Sequence, residues 1–231
     1  KEIGNLEKLR GHSNIVQIRD HAVLRRTRHV AILMELAACD LDIFFKRSGY
    51  SFGVPGMFSI WRSLVNAVGA AHTEDIIHRD LKPQNFLLVP IAPPFADRIL
   101  ATTSTPPEKF EFQILDEQDD CGGDVALTLR DSWTGHEVVL RLVIKLSDFG
   151  LAQPLELEES HLSVQGHAGT LKYMAPETVQ PTTDCRRQLS KRVDIWSLGM
   201  MLFQMLHNGR TPFDRFFQKG DVELAVAIAS K

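Results

Sequence analysis

The sequence predicts an α+β fold that is mostly helical, with a smaller β-rich part near its start. Three observations lead to this prediction. The chain has 231 residues, of which 44% are hydrophobic, enough to bury a core of domain size. Apolar residues recur at helical spacing in several segments. Short extended runs separated by turn-forming residues indicate antiparallel strands.

The elements of the first ninety residues follow from this spacing. Apolar residues at helical intervals in the first nine positions predict a helix, and Ile15–Leu24 and Val30–Leu36 predict two strands. One face of Ser59–Thr73 is apolar, which predicts a second helix. The short extended runs Ile76–Ile77 and Phe86–Val89 bracket a polar loop.

Residues 90–143 differ from the rest of the chain. Their first part is rich in proline, serine and threonine and predicts an exposed loop or disorder. Period-two apolarity around a turn near Gly135 then predicts a β-hairpin. The acidic residues between 116 and 124 do not have the spacing of a calcium-binding loop, so we expect a solvated acidic loop. For this insertion we expect docking or regulation, not chemistry.

Composition narrows the class of protein. A formal charge of −3 and a pI near 6.3 argue against a nucleic-acid partner. Cys39, Cys121 and Cys185 are odd in number and widely scattered, which indicates a reduced intracellular location, cytoplasm or nucleus. No secretion signal opens the chain, and Ile195–Leu206 is shorter than the roughly 20 residues that span a bilayer. We therefore expect no membrane partner and interpret this run as a buried helix.

The chemistry lies in three motifs: His78-Arg79-Asp80-Leu81-Lys82-Pro83-Gln84-Asn85, Asp148-Phe149-Gly150 and Ala175-Pro176-Glu177. Asp80 can accept a proton from a substrate hydroxyl, and Lys82 can balance the charge of a transferring phosphate. Asn85 and Asp148 offer the oxygen ligands that magnesium prefers. A lone His-Arg-Asp is more often a capped turn, but the full set predicts a phosphoryl-transfer site.

On these motifs, residues 1–89 and 144–231 resemble a protein kinase domain, from its C-helix to the start of its G-helix. The resemblance implies a kinase-like fold with a mostly helical C-lobe and the remnant of a β-rich N-lobe. It implies an ATP- and Mg²⁺-dependent protein serine/threonine kinase that acts on protein hydroxyls, with an activating or docking partner possible. Asp80 is then the catalytic base, Lys82 the phosphate contact, and Asn85 and Asp148 the metal ligands. The alternative is a truncated pseudokinase that acts as a binding scaffold.

The same resemblance assigns residues to the nucleotide pocket. Met34 matches the gatekeeper behind adenine, and Glu35 and Ala37 match hinge positions whose backbone binds adenine. Asp40 matches a polar residue on the ribose side, and Leu87 the residue beneath the adenine ring. Ordinary core packing would explain Met34 and Leu87 equally well.

Other matched residues have structural or regulatory roles in the family. Glu2 matches the C-helix glutamate that pairs with a strand lysine; a solvated helix residue is the alternative. Asp194 matches the anchor of the catalytic loop, and a charge in so apolar a helix needs a partner. The spine that joins the two lobes includes Leu6, Ile18, His78, Phe149 and Asp194.

The activation segment would run from Asp148 through Gly150 to Glu177. Arg79 matches kinases in which an arginine binds a phosphate on this segment. Ser160, Ser163 and Thr170 are candidates to carry it or to line the substrate channel, with Ser163 the better switch candidate and a solvated loop serine the alternative. Thr170 is expected to contact Asp80 and Lys82, and Lys82 with Thr170 favours serine or threonine substrates.

Two family motifs do not occur in the sequence. It contains no Gly-x-Gly-x-x-Gly, and Val30–Leu33 is similar to the Val-Ala-Ile-Lys strand but has leucine in place of lysine. The chain also begins and stops within helical patterns, so we expect it to be truncated at both ends. Without the two motifs we expect residues 1–231 alone to be inactive. Residues 1–36 would be a partial N-lobe. Residues 37–231 would be the hinge and C-lobe, interrupted by the insertion at 90–143 and ending in the G-helix region.

Within the family, the resemblance is to the monopolar-spindle (threonine/tyrosine dual-specificity) group. It rests on Met34-Glu35, Asp40-Leu41, Trp61–His72, Asp80–Leu87 and Gly209–Phe213. Arg79 and Ala175 depart from that group's usual residues.

Overall fold

The computed structural model describes residues 2–24, 29–90, 125–130, 137–154, 171–179 and 190–230. Seven α-helices and eight strands lie in these ranges, together with a 3₁₀-helix at Pro83–Asn85. The helices are α1 (Glu2–Lys8), α2 (Leu41–Ser48), α3 (Gly53–Thr73), α4 (Pro176–Val179), α5 (Arg192–Leu206), α6 (Asp214–Phe217) and α7 (Asp221–Ala229). The strands are β1 (Ile18–Leu24), β2 (His29–Met34), β3 (Cys39–Asp40), β4 (Ile76–Ile77), β5 (Phe86–Pro90), β6 (Val125–Arg130), β7 (Glu137–Leu146) and β8 (Gln153–Pro154). The predicted α+β class is confirmed.

Three antiparallel sheets organise the strands. β1 pairs with β2, β4 pairs with β8, and a four-stranded sheet has the order β3-β5-β7-β6. In that sheet Leu87 of β5 lies opposite Asp40 on one side and Lys145 on the other. The loop after α1 joins the same sheet, because Val16 N–H donates to Leu146 O and Leu146 N–H donates to Asn14 O, at 3.0 and 2.8 Å. Strand β7 therefore connects the first helix, the central sheet and the residues around Asp148.

One hydrophobic core joins the two long helices to the sheet. The inner face of α3 and residues along α5 are buried with Leu142, Ile144 and Leu146 of β7. Leu6 of α1 and Ile18 of β1 belong to the same cluster. Apolar burial at about 25 cal/mol per Å² makes such a shared core the main force that keeps α1 against the rest of the chain.

Several element boundaries differ from the sequence-based prediction. Helix α3 begins at Gly53, six residues before the expected Ser59, and Pro55 lies in its first turn, where a proline costs no helical hydrogen bond. Strand β1 begins at Ile18 and not at Ile15, because the backbone before it pairs with β7 instead. Helix α2 was not predicted; Asp40 caps it by accepting a hydrogen bond from Ile43 N–H at 2.8 Å.

The hairpin expected within the insertion is present as β6 and β7, and β7 continues towards Asp148. The remainder of the insertion, including its acidic residues, lies outside the described residues. The run Ile195–Leu206 belongs to α5, most of whose residues are buried. In the described ranges, no helix combines the length and the apolar character that crossing a membrane requires.

Candidate functional site

The candidate site begins with a buried carboxylate in the loop between β4 and β5. Asp80 is only 7% exposed. Its Oδ2 accepts hydrogen bonds from Lys82 Nζ at 2.6 Å and Asn85 Nδ2 at 3.3 Å. Asn85 Nδ2 also donates to the Asp80 backbone carbonyl at 2.7 Å. Because Pro83–Asn85 form a single 3₁₀ turn, the loop folds back and brings the three side chains together.

The second carboxylate oxygen of Asp80 has a different environment. Asp80 Oδ1 is buried and has no hydrogen-bond partner among the described residues. A buried carboxylate oxygen without a donor is costly, so such atoms often mark functional positions. This oxygen can accept a hydrogen bond from an incoming hydroxyl.

Backbone contacts connect this loop to the Asp148 motif. Asn85 O accepts hydrogen bonds from Ser147 N–H at 2.8 Å and Ser147 Oγ at 2.9 Å. His78 Nε2 lies 2.9 Å from Ser147 O, and the rings of His78 and Phe149 meet edge to face with centroids 4.9 Å apart. Both rings are fully buried. The motifs of Asp80 and Asp148, far apart in sequence, are therefore neighbours in the fold.

A buried aspartate on α5 binds the backbone of the loop between β4 and β5. Asp194 is fully buried; its Oδ2 accepts from His78 N–H at 2.9 Å and its Oδ1 from Arg79 N–H at 2.8 Å. His72 Nε2, from the last turn of α3, lies 2.8 Å from Oδ2. We expected a buried charge at Asp194 to need a partner, and its partners are the loop backbone and His72. Sequence reasoning did not identify His72, whose only signal was a histidine near a helix end.

The carboxylates of Asp148 and Glu2 lie close to each other. Asp148 is exposed and has a left-handed backbone, with φ of +60°. A Cβ atom at Gly150 would lie 3.2 Å from Asp148 Oδ1 and 3.8 Å from Glu2 Oε2, so glycine keeps this turn clear. Burial and, after it, the charge of Asp148 raise the pKa of the Glu2 carboxyl above its usual range. In the part of the chain that is described, no lysine pairs with Glu2.

α1 also contacts the Asp148 motif through a residue that the sequence did not single out. Asn5, buried and one turn after Glu2, donates from Nδ2 to Phe149 O at 3.4 Å and to Ala152 O at 3.3 Å. A polar residue at a buried helical position was the available signal. Asn5 makes the placement of α1 and that of the Phe149 backbone depend on each other.

The expected nucleotide-pocket residues lie on two different sheets and on the segment between them: Met34 ends β2, Asp40 ends β3, and Leu87 lies in β5, an inner strand of the four-stranded sheet. Met34, Ala37 and Leu87 are partly buried, and Met34 packs against the core. The Asp40 carboxylate, expected on the ribose side, caps α2. The Glu35 side chain forms an ion pair with Lys145, a residue that sequence reasoning missed, at 2.7 and 2.9 Å. The signal for Lys145 was a lone lysine within the apolar end of β7.

The expected regulatory residues are only partly described. Ser160, Ser163 and Thr170 lie outside the described residues. Glu177 is exposed on α4. In the described ranges, no group of three or more histidine, cysteine, aspartate or glutamate side chains could hold a metal ion. Magnesium sites commonly use one or two carboxylates together with substrate phosphates, so Asp148 and Asn85 fit that pattern without such a cluster.

Comparison with known proteins places these features in a family. The model of the protein kinase domain matches residues 1–99 and 131–228. The chain is 28% identical to Serine/threonine-protein kinase MPS1 of Encephalitozoon cuniculi over 207 residues, which cover 90% of the chain and 25% of that protein. It is 26% identical to Dual specificity protein kinase TTK of Mus musculus over 225 residues, 94% of the chain and 20% of TTK. Serine/threonine-protein kinase mph1 of Schizosaccharomyces pombe is 26% identical over 222 residues, 92% of the chain and 25% of mph1. The chain thus spans about a fifth to a quarter of the length of these curated relatives.

Proposed function

This chain belongs to the protein kinase domain family, and from that premise we propose that it transfers the γ-phosphoryl group of ATP to serine or threonine hydroxyls of protein substrates. The observation that carries the proposal is the buried Asp80 carboxylate. One of its oxygens is held by Lys82 and Asn85, and the other has no donor among the described residues. Phosphoryl transfer depends on positioning and charge balance more than on covalent catalysis, and this arrangement supplies both.

Each residue then has a distinct part in the transfer. Asp80 Oδ1 orients the substrate hydroxyl and accepts its proton as the oxygen attacks phosphorus. Lys82, 2.6 Å from Asp80 Oδ2, places a positive charge beside that acceptor and can neutralise the transferring phosphate. Asp194 and His78 keep the loop in place without contacting substrate.

ATP and Mg²⁺ are the cofactors that the family implies, and the donor set fits them. Asn85 uses its amide N–H groups on Asp80, so its side-chain oxygen remains a ligand for magnesium, and Asp148 offers an exposed carboxylate. When bound, magnesium would neutralise charge on the nucleotide phosphates. The Glu35 and Ala37 backbone and the Leu87 side chain would hold the adenine, with Met34 behind it and Asp40 towards the ribose.

The preference for serine and threonine is supported by two observations. Lys82 follows Asp80 by two residues, an arrangement that the family resemblance associates with these substrates. Two of the relatives carry serine/threonine-protein kinase in their names, and TTK is named a dual specificity kinase. A phosphate on Ser163 bound by Arg79 would provide regulation, with Thr170 lining the substrate channel.

The proposal is tested by Asp80→Asn in the gene product that contains these residues. Losing a positioned general base costs about 10²- to 10⁴-fold in rate, so we expect phosphorylation of a basic protein substrate to fall by that factor. Asp75→Asn is the matched control, because Asp75 is exposed and pairs with Lys191 at 2.6 Å outside the site. Radiolabel transfer from ATP is the measurement, with thermal unfolding to verify both variants.

Equal activity in the unmodified protein and in Asp80→Asn would refute the proposed role of Asp80. If the protein showed neither transfer nor magnesium-dependent nucleotide binding, the catalytic function itself would be refuted. A binding scaffold built on a kinase fold would then be the better description.

A further inference from the structure

A nearly buried ion pair joins the expected hinge to the strand that leads to Asp148. Lys145 Nζ contacts both carboxylate oxygens of Glu35, and the two side chains are 13% and 10% exposed. A pair this buried is costly to desolvate, and removing one partner alone leaves a buried charge uncompensated. Lys145 lies opposite Leu87 in the sheet and three residues before Asp148.

Just beyond the end of the β1–β2 ladder, the Glu35 carboxylate takes the place of the Glu35 backbone carbonyl as a hydrogen-bond acceptor. Glu35 N–H donates to Gln17 O at 3.1 Å, as expected for a hydrogen-bonded antiparallel pair. In such a pair the return bond would run from Gln17 N–H to Glu35 O. Instead, Gln17 N–H donates to Glu35 Oε1 at 2.9 Å. Within the described residues, the Glu35 carbonyl accepts no hydrogen bond.

The Gln17 side of this contact is equally constrained. Gln17 Nε2 donates to His12 O at 3.1 Å and Ile15 O at 2.8 Å, and its Oε1 accepts from Gly11 N–H at 2.9 Å. These bonds tie Gln17 to the loop that follows α1. Its backbone N–H therefore has little freedom to find another acceptor.

We propose that Lys145 is a positioning residue for the nucleobase: it holds the Glu35 carboxylate on Gln17 N–H and so leaves the Glu35 carbonyl free to accept a hydrogen bond from the 6-amino group of adenine. This inference rests on the proposed function, since it assumes that adenine binds at the hinge. Lys145 itself does not touch the nucleotide. Lys145 acts indirectly: by keeping Gln17 N–H bonded to the Glu35 carboxylate, it prevents that N–H from binding the Glu35 carbonyl.

The test compares two uncharged double variants, which avoid leaving a buried charge unpaired. In E35Q/K145M the amide oxygen can still accept from Gln17 N–H. In E35A/K145M no side-chain acceptor remains, and Gln17 N–H turns to the Glu35 carbonyl. Two nucleosides serve as probes: adenosine, and purine riboside, which lacks the 6-amino group. Calorimetry on the gene product that contains these residues gives the dissociation constants.

We expect adenosine to bind about three- to tenfold more weakly to E35A/K145M than to E35Q/K145M, the worth of one hydrogen bond. Purine riboside should bind both equally. Lys145→Arg, which keeps the ion pair, should behave as the unmodified protein does. Lys46→Met, which breaks the exposed pair of Lys46 with Asp42 at 2.6 Å, controls for loss of a lysine.

Three results would overturn the inference. If both double variants had the same ratio of adenosine to purine riboside affinity, a side-chain acceptor at position 35 would not free the Glu35 carbonyl, and Lys145 would have no acceptor to position. If E35A/K145M failed to fold, the same ratio would be compared between Lys145→Met and Lys145→Arg, and equality would be the contradicting outcome. If the unmodified protein bound neither nucleoside, the proposed function would fail first and this inference with it.

Discussion

Two residues of the site have backbone conformations that side chains rarely adopt. Arg79 has φ of +74° and Asp148 has φ of +60°. A non-glycine residue in the left-handed region costs about 1–3 kcal/mol and persists only when its surroundings impose it. Asp194 imposes it on Arg79 by accepting its N–H, and the hydrogen bonds of Ser147 to Asn85 fix the residue before Asp148. Backbone strain therefore occurs at two of the residues that form the candidate site.

At this scale the first stability prediction concerns Asp194→Asn. The carboxylate receives two backbone N–H groups on its two oxygens, and an amide would set its NH₂ group against one of them. Each buried donor left unsatisfied costs about 1–3 kcal/mol, so we expect at least a loss of that size in the free energy of unfolding. Urea denaturation measures it.

The matched control is again Asp75→Asn, whose exposed carboxylate pairs with Lys191. Its denaturation midpoint should not change. Equal midpoints for Asp194→Asn and the unmodified protein would show that the loop backbone does not depend on this anchor.

Hydrogen bonds between elements connect α5 to the corner between α2 and α3. Gln204 Nε2 donates to Tyr50 Oη at 3.0 Å, and Gln204 Oε1 accepts from Tyr173 Oη at 2.8 Å. Burial raises the pKa of the Tyr173 hydroxyl, so this group stays a donor at ordinary pH. Ser197 Oγ donates to Tyr173 O at 2.7 Å. Residues 171–175, which follow Thr170, are thereby attached to α5.

Gly209→Ala tests the packing of this corner. Gly209 has φ of +84°, and a Cβ atom there would lie 2.7 Å from the Tyr50 ring. Left-handed strain and overpacking add, so we expect a loss of about 2–4 kcal/mol in the free energy of unfolding by urea.

Gly69→Ala is the matched control within α3, where a Cβ atom would meet nothing within 4 Å. Replacing a helical glycine by alanine should stabilise by about 0.5–1 kcal/mol. Opposite signs of the two changes would show that the loss at Gly209 belongs to that site and is not a general effect of replacing glycine by alanine. A Gly209→Ala variant as stable as the unmodified protein would show that the close packing of Gly209 against the Tyr50 ring does not require glycine.

For the whole molecule we propose two parts, residues 1–36 as a small N-terminal part and 37–231 as the larger part, with 90–143 as an insertion. The kinase family model leaves residues 100–130 unmatched, which supports an insertion within 90–143. Strand β7 nevertheless belongs to the central sheet, because Ile144 and Leu146 are fully buried in the core. The insertion therefore ends inside a strand on which the core depends.

Replacing residues 90–142 by Asn-Gly tests that division. Val89 and Val143 are register partners in the pairing of β5 with β7. Each lies four residues along its strand from Asn85 or Ser147, which form a hydrogen-bonded pair. Because hydrogen-bonded and non-hydrogen-bonded pairs alternate along antiparallel strands, Val89 and Val143 form a hydrogen-bonded pair as well. An Asn-Gly turn closes such a pair with the twist that the strands need. We expect a cooperatively unfolding protein that retains Asp80-dependent phosphoryl transfer. A variant that fails to fold would show that β6 and its connections are an integral part of the core.

The sequence alone determined the α+β class and most elements, and it singled out the candidate set Asp80, Lys82, Asn85 and Asp148, because those signals are contiguous motifs and local periodicities. Only the tertiary structure decided which distant side chains meet. Lys145 and Glu35 are 110 positions apart, His72 and Asp194 are 122, and Tyr50 and Gln204 are 154. No local pattern encodes such pairs, since each depends on how the long helices and the sheet share one core. For the same reason the partners of Asp194 became evident only in the folded chain.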